Sequence, residues 1–113
     1  MKKIEAIIRE ESVPAVKTAL EKAGFLGMTL INVKGRGRSG GIQLEWRAGT
    51  YTVDFLHKVL LMLVVADADS QTVIDIILDI CGEPGASGSG KIFVSPVEEV
   101  VRIRTRETGE AAI

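Results

Sequence analysis

The chain has 113 residues, 46% of them hydrophobic and 26% charged, with a formal net charge of -1. This is the composition of one ordinary globular domain, and so even a charge balance gives no global field favouring nucleic acid or an anionic membrane. The single cysteine, Cys81, excludes an internal disulfide and offers no metal-ligand spacing.

Taken in order, Lys2 to Arg9 reads as a strand, with Ile4, Ile7 and Ile8 set among charges. Ser12 is a predicted helix N-cap and Pro14 falls in the first turn. Ala15, Val16, Ala19, Leu20 and Ala23 recur at helical spacing, and Gly24 is placed to close that helix. Met28 to Val33 is a second, β-branched strand. Gly35 to Lys58, GRGRSGGIQLEWRAGTYTVDFLHK, is a long polar loop. Loops of this length inside a small domain are uncommon and usually functional or disordered.

Lys58 to Ala66 is nearly all apolar, as a central strand covered on both faces would be. Asp67, Asp69 and Ser70 offer N-caps for a helix with the stripe Val73, Ile74, Ile76, Ile77 and Ile80. Gly82 to Gly90 breaks regular structure, Lys91 to Ser95 is a short strand, and beyond Pro96 the segment Val97 to Arg104 reads as another strand. The order β-α-β, loop, β-α-β predicts an α+β, ferredoxin-like fold over residues 1–113, an antiparallel four-stranded sheet with two helices on one face. The Val59 to Val65 run is too apolar to leave the other face wet, so association through the sheet is expected.

Three segments combine glycine with cations: Gly35 to Arg38, Gly85 to Lys91, and Arg102 with Arg104. Glycine lets backbone N–H groups approach an anion, and arginine pairs with phosphate bidentately. Each alone reads equally well as solvated charge or an ordinary connection, but together they suit one polyanion shared across a subunit boundary. Gly85 to Lys91 is no P-loop, since Ile92 stands where a magnesium-holding hydroxyl belongs and a strand follows. His57 is the only histidine, so there is no Ser–His–Asp set, and no carboxylate pair has an acid/base setting. Turnover is not expected. An RNA-binding sheet would need aromatics on its central strands, and Val59 to Val65 has none.

The stretches MKKIEAIIR, GMTLINVKGRGR at 27–38, TYTVDFLHKV at 50–59, GKIFVSPVEEVVRIRT at 90–105 and the closing EAAI resemble the PII signal-transduction family over essentially the whole chain. The resemblance implies a cytoplasmic homotrimer that binds ATP or ADP in clefts between subunits, with magnesium accompanying ATP. It places adenine-side contacts on Thr29, Val64 and their neighbours, and a further nucleotide contact on Ile7. Its remaining nucleotide contacts fall on Gly35, Arg36, Gly37, Arg38, Gly88, Ser89, Gly90, Lys91, Arg102 and Arg104. It places 2-oxoglutarate on Arg38, Ser39, Gly40, Gly41 and Lys58. The long loop corresponds to the family's T-loop, about residues 37–55, with Tyr51 matching a tyrosine that some members have uridylylated. The loop's target would be an ammonium transporter or a nitrogen-metabolism enzyme, without nucleic acid and without direct membrane insertion.

The chain departs from the family pattern at the loop tip, Trp46 to Tyr51, at Ser39 in place of glutamine, at Met62 in place of glutamate, and in the Glu83 to Lys91 turn. Two further readings therefore stay open: a PII-like paralogue sensing adenine nucleotide with a different small anion such as bicarbonate, and a nitrogenase-associated member.

Overall fold

The computed structural model describes residues 1–38, 40–83 and 89–113. The first strand, β1, spans Lys2–Ile8. A single 3-10 turn, Glu10–Ser12, leads into α1, Val13–Lys22, with Ser12 at the N-cap position and Pro14 in the first turn. There the missing proline N–H costs no helical hydrogen bond. Gly24 follows the helix at φ +94°. Its N–H bonds to Glu21 O at 3.0 Å and the Phe25 N–H to Leu20 O at 2.9 Å, the paired closure of a glycine-ended helix. Next come β2 (Thr29–Gly35), β3 (Ile42–Trp46), β4 (Gly49–Val53) and β5 (Leu56–Val65). The turn Asp67–Asp69 introduces α2, Ser70–Cys81, and β6 is Lys91–Pro96.

The main sheet has the order β2-β5-β1-β6, every pair antiparallel. This is the arrangement expected from the double βαβ pattern. Alternation along the central strands divides their faces. Ile4, Ala6 and Ile8 of β1 and Leu61, Leu63 and Val65 of β5 are buried with Val16 and Leu20 of α1 and Val73 and Ile77 of α2. Each such Ile, Leu or Val side chain contributes about 1.5–3 kcal/mol by leaving water. Residues in cross-strand register share a face, so the opposite face carries Thr29, Met62, Glu5 and Phe93 in one row. Ile31, Leu60, Ile7 and Lys91 form the next row, and Val33 with Lys58 the one beyond. No helix among the described residues covers this side. It is largely apolar, with Lys3 and Glu5 joined at 3.4 Å within it.

Two sequence expectations change. The long loop contains a regular hairpin, β3 paired with β4 in register Ile42–Val53, Leu44–Tyr51 and Trp46–Gly49. Its apolar residues fall on one side and Gln43, Glu45, Thr50 and Thr52 on the other. The protomer is elongated accordingly, 59 by 26 by 22 Å.

The second change is at Val97 to Arg104, which is not a strand. The Val97 N–H reaches Met1 O at 3.0 Å, and the chain then folds on itself. Arg102 N–H bonds to Glu107 O at 2.9 Å, Arg106 N–H to Arg102 O at 2.8 Å, and Val101 bridges Thr108. Backbone groups need partners, and among the described residues no strand pairs with this segment. Local turns supply them instead, leaving Ile103 at 95% exposure.

Candidate functional site

Antiparallel pairing gathers chain segments at one end of the sheet that are distant in sequence. Gly35 ends β2 opposite Leu56, and Lys58 stands opposite Val33. Ile7 near the end of β1 is opposite Lys91 at the start of β6. The bases of the loop, Lys58, Ile7 and the Gly90–Lys91 entry therefore share one edge of the fold. Ile7, Lys58 and Lys91 also share the face that the helices leave open.

Local geometry at this edge demands small residues. The Gly40 N–H bonds to Gly37 O at 3.1 Å, so Gly37 to Gly40 reverses the chain with Arg38 inside the turn. Gly41 sits so close to Val53 that an added Cβ would lie 1.9 Å from its carbonyl oxygen. Gly90 has φ +104°, and a Cβ there would meet Ile7 O at 1.7 Å. No other residue type lets β6 begin so close to β1. Ser39 and Gly88, both expected to contact ligand, lie outside the described residues.

The charges here are arranged for an anion. Burial lowers the pKa of Lys58 below the ordinary 10.5, the nearby Arg9 guanidinium lowers it further, and Glu11 partly opposes them. Sequence reasoning did not single out Arg9, because it reads only as the polar end of a strand. Arg36 Nη1 lies 4.0 Å from Asp54 Oδ1 at the hairpin root. Arg38 and Lys91 are exposed and form no ion pair among the described residues. Ser89 lines a small cleft with Arg9, Ser12, Cys81 and Glu83. Burial pushes the Cys81 thiol up, with a Ser12 hydrogen bond partly opposing, so this cysteine is poorly nucleophilic.

The remaining expected contacts lie at the opposite end of the sheet. Thr29 and Val64 line an open groove of about 660 Å³, together with Gly27, Met28, Val100 and Ile113. Arg102 belongs to this end, where its Nη2 donates to Ile113 O at 3.1 Å. Arg104 follows in the same exposed turn. The seven residues of β2 separate the groove from the Gly35 edge, a span of roughly 20 Å at about 3.3 Å per residue. The expected contacts thus fall into two separate groups, a Gly/basic edge and a largely apolar groove, which do not meet within one chain. Tyr51 belongs to neither and sits half-exposed on the apolar side of the hairpin, opposite Leu44.

Among the described residues, no group of three or more His, Cys, Asp or Glu could hold a metal ion. No described helix is long and apolar enough to cross a membrane.

Residues 1–107 match the family described as nitrogen regulatory protein P-II. The chain is 49% identical over 113 residues to nitrogen regulatory protein P-II 2 of Methanothermobacter thermautotrophicus, covering 100% of this chain and 97% of that protein. It is likewise 49% identical to nitrogen regulatory protein P-II of Rhizobium meliloti and 47% identical to that of Microchaete diplosiphon, each over 100% of both chains.

Proposed function

The chain belongs to the nitrogen regulatory protein P-II family, and from that premise we propose that it binds ATP or ADP between copies of itself and reports the bound state through its hairpin. It acts as a regulator rather than as an enzyme, a role supported by the name its relatives share, nitrogen regulatory protein. The observation that carries the nucleotide reading is the separation of the two half-sites. Gly37, Arg38, Gly90 and Lys91 suit a polyphosphate, while Thr29 and Val64 line a largely apolar groove suited to a flat base. A second copy brings the edge of one protomer to the groove of the next, and a ring of three repeats that contact without leaving an open end. Arg102 and Arg104, on the groove side, then reach the phosphates from across the boundary.

The apolar open face of the sheet supports the same assembly. Ile31, Leu60, Met62 and Val64 form a patch that water does not favour. A homotrimer packed through it would hide this surface and set the half-sites together.

The effector reading concerns Lys58. A desolvated ammonium beside Arg9 is stabilised by an incoming dianion, which relieves both the burial penalty and the like-charge repulsion. A dicarboxylate such as 2-oxoglutarate fits this chemistry, with Arg38, Ser39, Gly40 and Gly41 closing over it and magnesium entering with the ATP phosphates. The hairpin would then engage a target such as an ammonium transporter or a nitrogen-metabolism enzyme, with Tyr51 exposed for modification.

Calorimetry with ATP and ADP, each with and without magnesium and 2-oxoglutarate, tests this reading. The expected result is heat from both nucleotides, and from 2-oxoglutarate only after Mg-ATP. Absence of nucleotide heat would overturn it. Nucleotide heat without any 2-oxoglutarate response would transfer the Lys58 role to a different small anion.

A further inference from the structure

Opposite charges face each other across the two segments that join the hairpin to the sheet. The pair Gly35–Leu56 ends the β2/β5 ladder, so Arg36 is the first residue beyond the sheet on one strand. Asp54 is the first residue beyond the hairpin, directly after Val53 of β4. Arg36 Nη1 and Asp54 Oδ1 are 4.0 Å apart, with their side chains 54% and 57% exposed. We infer that Asp54 is the positioning residue of the hairpin, holding its root through Arg36, and that a nucleotide phosphate at the Gly/basic edge takes Arg36 away from it. This rests on the phosphate reading of that edge.

The competition follows from relative strength. An exposed ion pair at the distance limit is weak. A phosphate offers more charge and accepts bidentate hydrogen bonds from a guanidinium. A ligand that breaks the tie must in turn be weakened by it, because coupling is reciprocal. Removing the Asp54 charge should therefore raise nucleotide affinity, by up to about five-fold for a surface pair. Affinity alone does not prove the tie, since deleting any nearby carboxylate reduces repulsion of an anion.

The hairpin supplies the decisive readout. Trp46 is the only tryptophan, lies at the end of β3 and is 69% exposed. Time-resolved anisotropy of Trp46 reports hairpin motion without a label. In ligand-free protein, Asp54→Asn and Arg36→Gln should both increase Trp46 mobility over the native chain. Glu45→Gln, on the polar side of the hairpin and outside the tie, should not. ATP should loosen the native hairpin to the level of the two variants and change neither variant further. Unchanged ligand-free mobility in both variants would overturn the tie. ATP that binds by calorimetry yet leaves native mobility unchanged would overturn the competition. Failure of ATP to bind at all would sink the nucleotide reading, and the ligand-free comparison would still decide the tie.

Discussion

Lys58 is a residue whose charge the fold disfavours. Its pKa is held below 10.5 first by burial and then by Arg9, so the folded protein releases this proton at lower pH than the unfolded chain. Between the lowered value and 10.5 the unfolded chain binds more protons, and the native state gains stability as pH rises through that window. The proposed dicarboxylate binding would have the opposite slope. It needs the ammonium, so affinity should fall as pH rises through the lowered pKa, with proton uptake on binding. Calorimetry in two buffers of different ionisation enthalpy measures that uptake, and Lys58→Ala should abolish it while sparing ADP. Gly90 makes a different demand. Alanine there is strained at φ +104° and collides with Ile7 O, so Gly90→Ala should cost more than about 2 kcal/mol in urea unfolding. The glycine pattern made such positions visible in the sequence. Asp54 and Arg9 were not visible, because their significance depends on pairing across strands that sequence spacing does not reveal.

Among the elements, the hairpin was the most misread. Ile42, Leu44 and Trp46 alternate with Gln43 and Glu45, which is a strand signal. The flanking glycines and the polar composition of the whole stretch concealed it within a loop. Val97 to Arg104 failed in the other direction. Its alternation is genuine, but alternation describes a face, and among the described residues no strand pairs with this segment to complete a ladder. The βαβ repeats were legible because the core stripes, the apolar central strand and the glycine that closes α1 agree with one another, although neither Ser12 nor Asp69 makes a side-chain capping bond. The hairpin forms its own two-stranded sheet, apart from the main one. Replacing residues 42–53 by a short glycine linker should leave the far-ultraviolet spectrum of the body and its midpoint in urea nearly unchanged. A large drop in that midpoint would show that the hairpin contributes to the core.

At the scale of the whole molecule, neither half of the proposed nucleotide site suffices by itself. The Gly/basic edge and the groove occupy opposite ends of one sheet, and the sequence could suggest only that its cationic segments converge. The separation appears once β6 is seen to run antiparallel to β1, carrying Lys91 and the Arg102 segment to opposite ends. Lys91→Ala and Arg102→Ala should each weaken ATP binding by about 1.5–3 kcal/mol, the range for a charged hydrogen bond. The direct test is to co-express these two variants under different affinity tags, isolate mixed oligomers, and titrate them with ATP. The account predicts a class of sites with native affinity, because the intact edge of the Arg102→Ala chain meets the intact groove of the Lys91→Ala chain. Mixed oligomers that bind no better than either variant alone would contradict it.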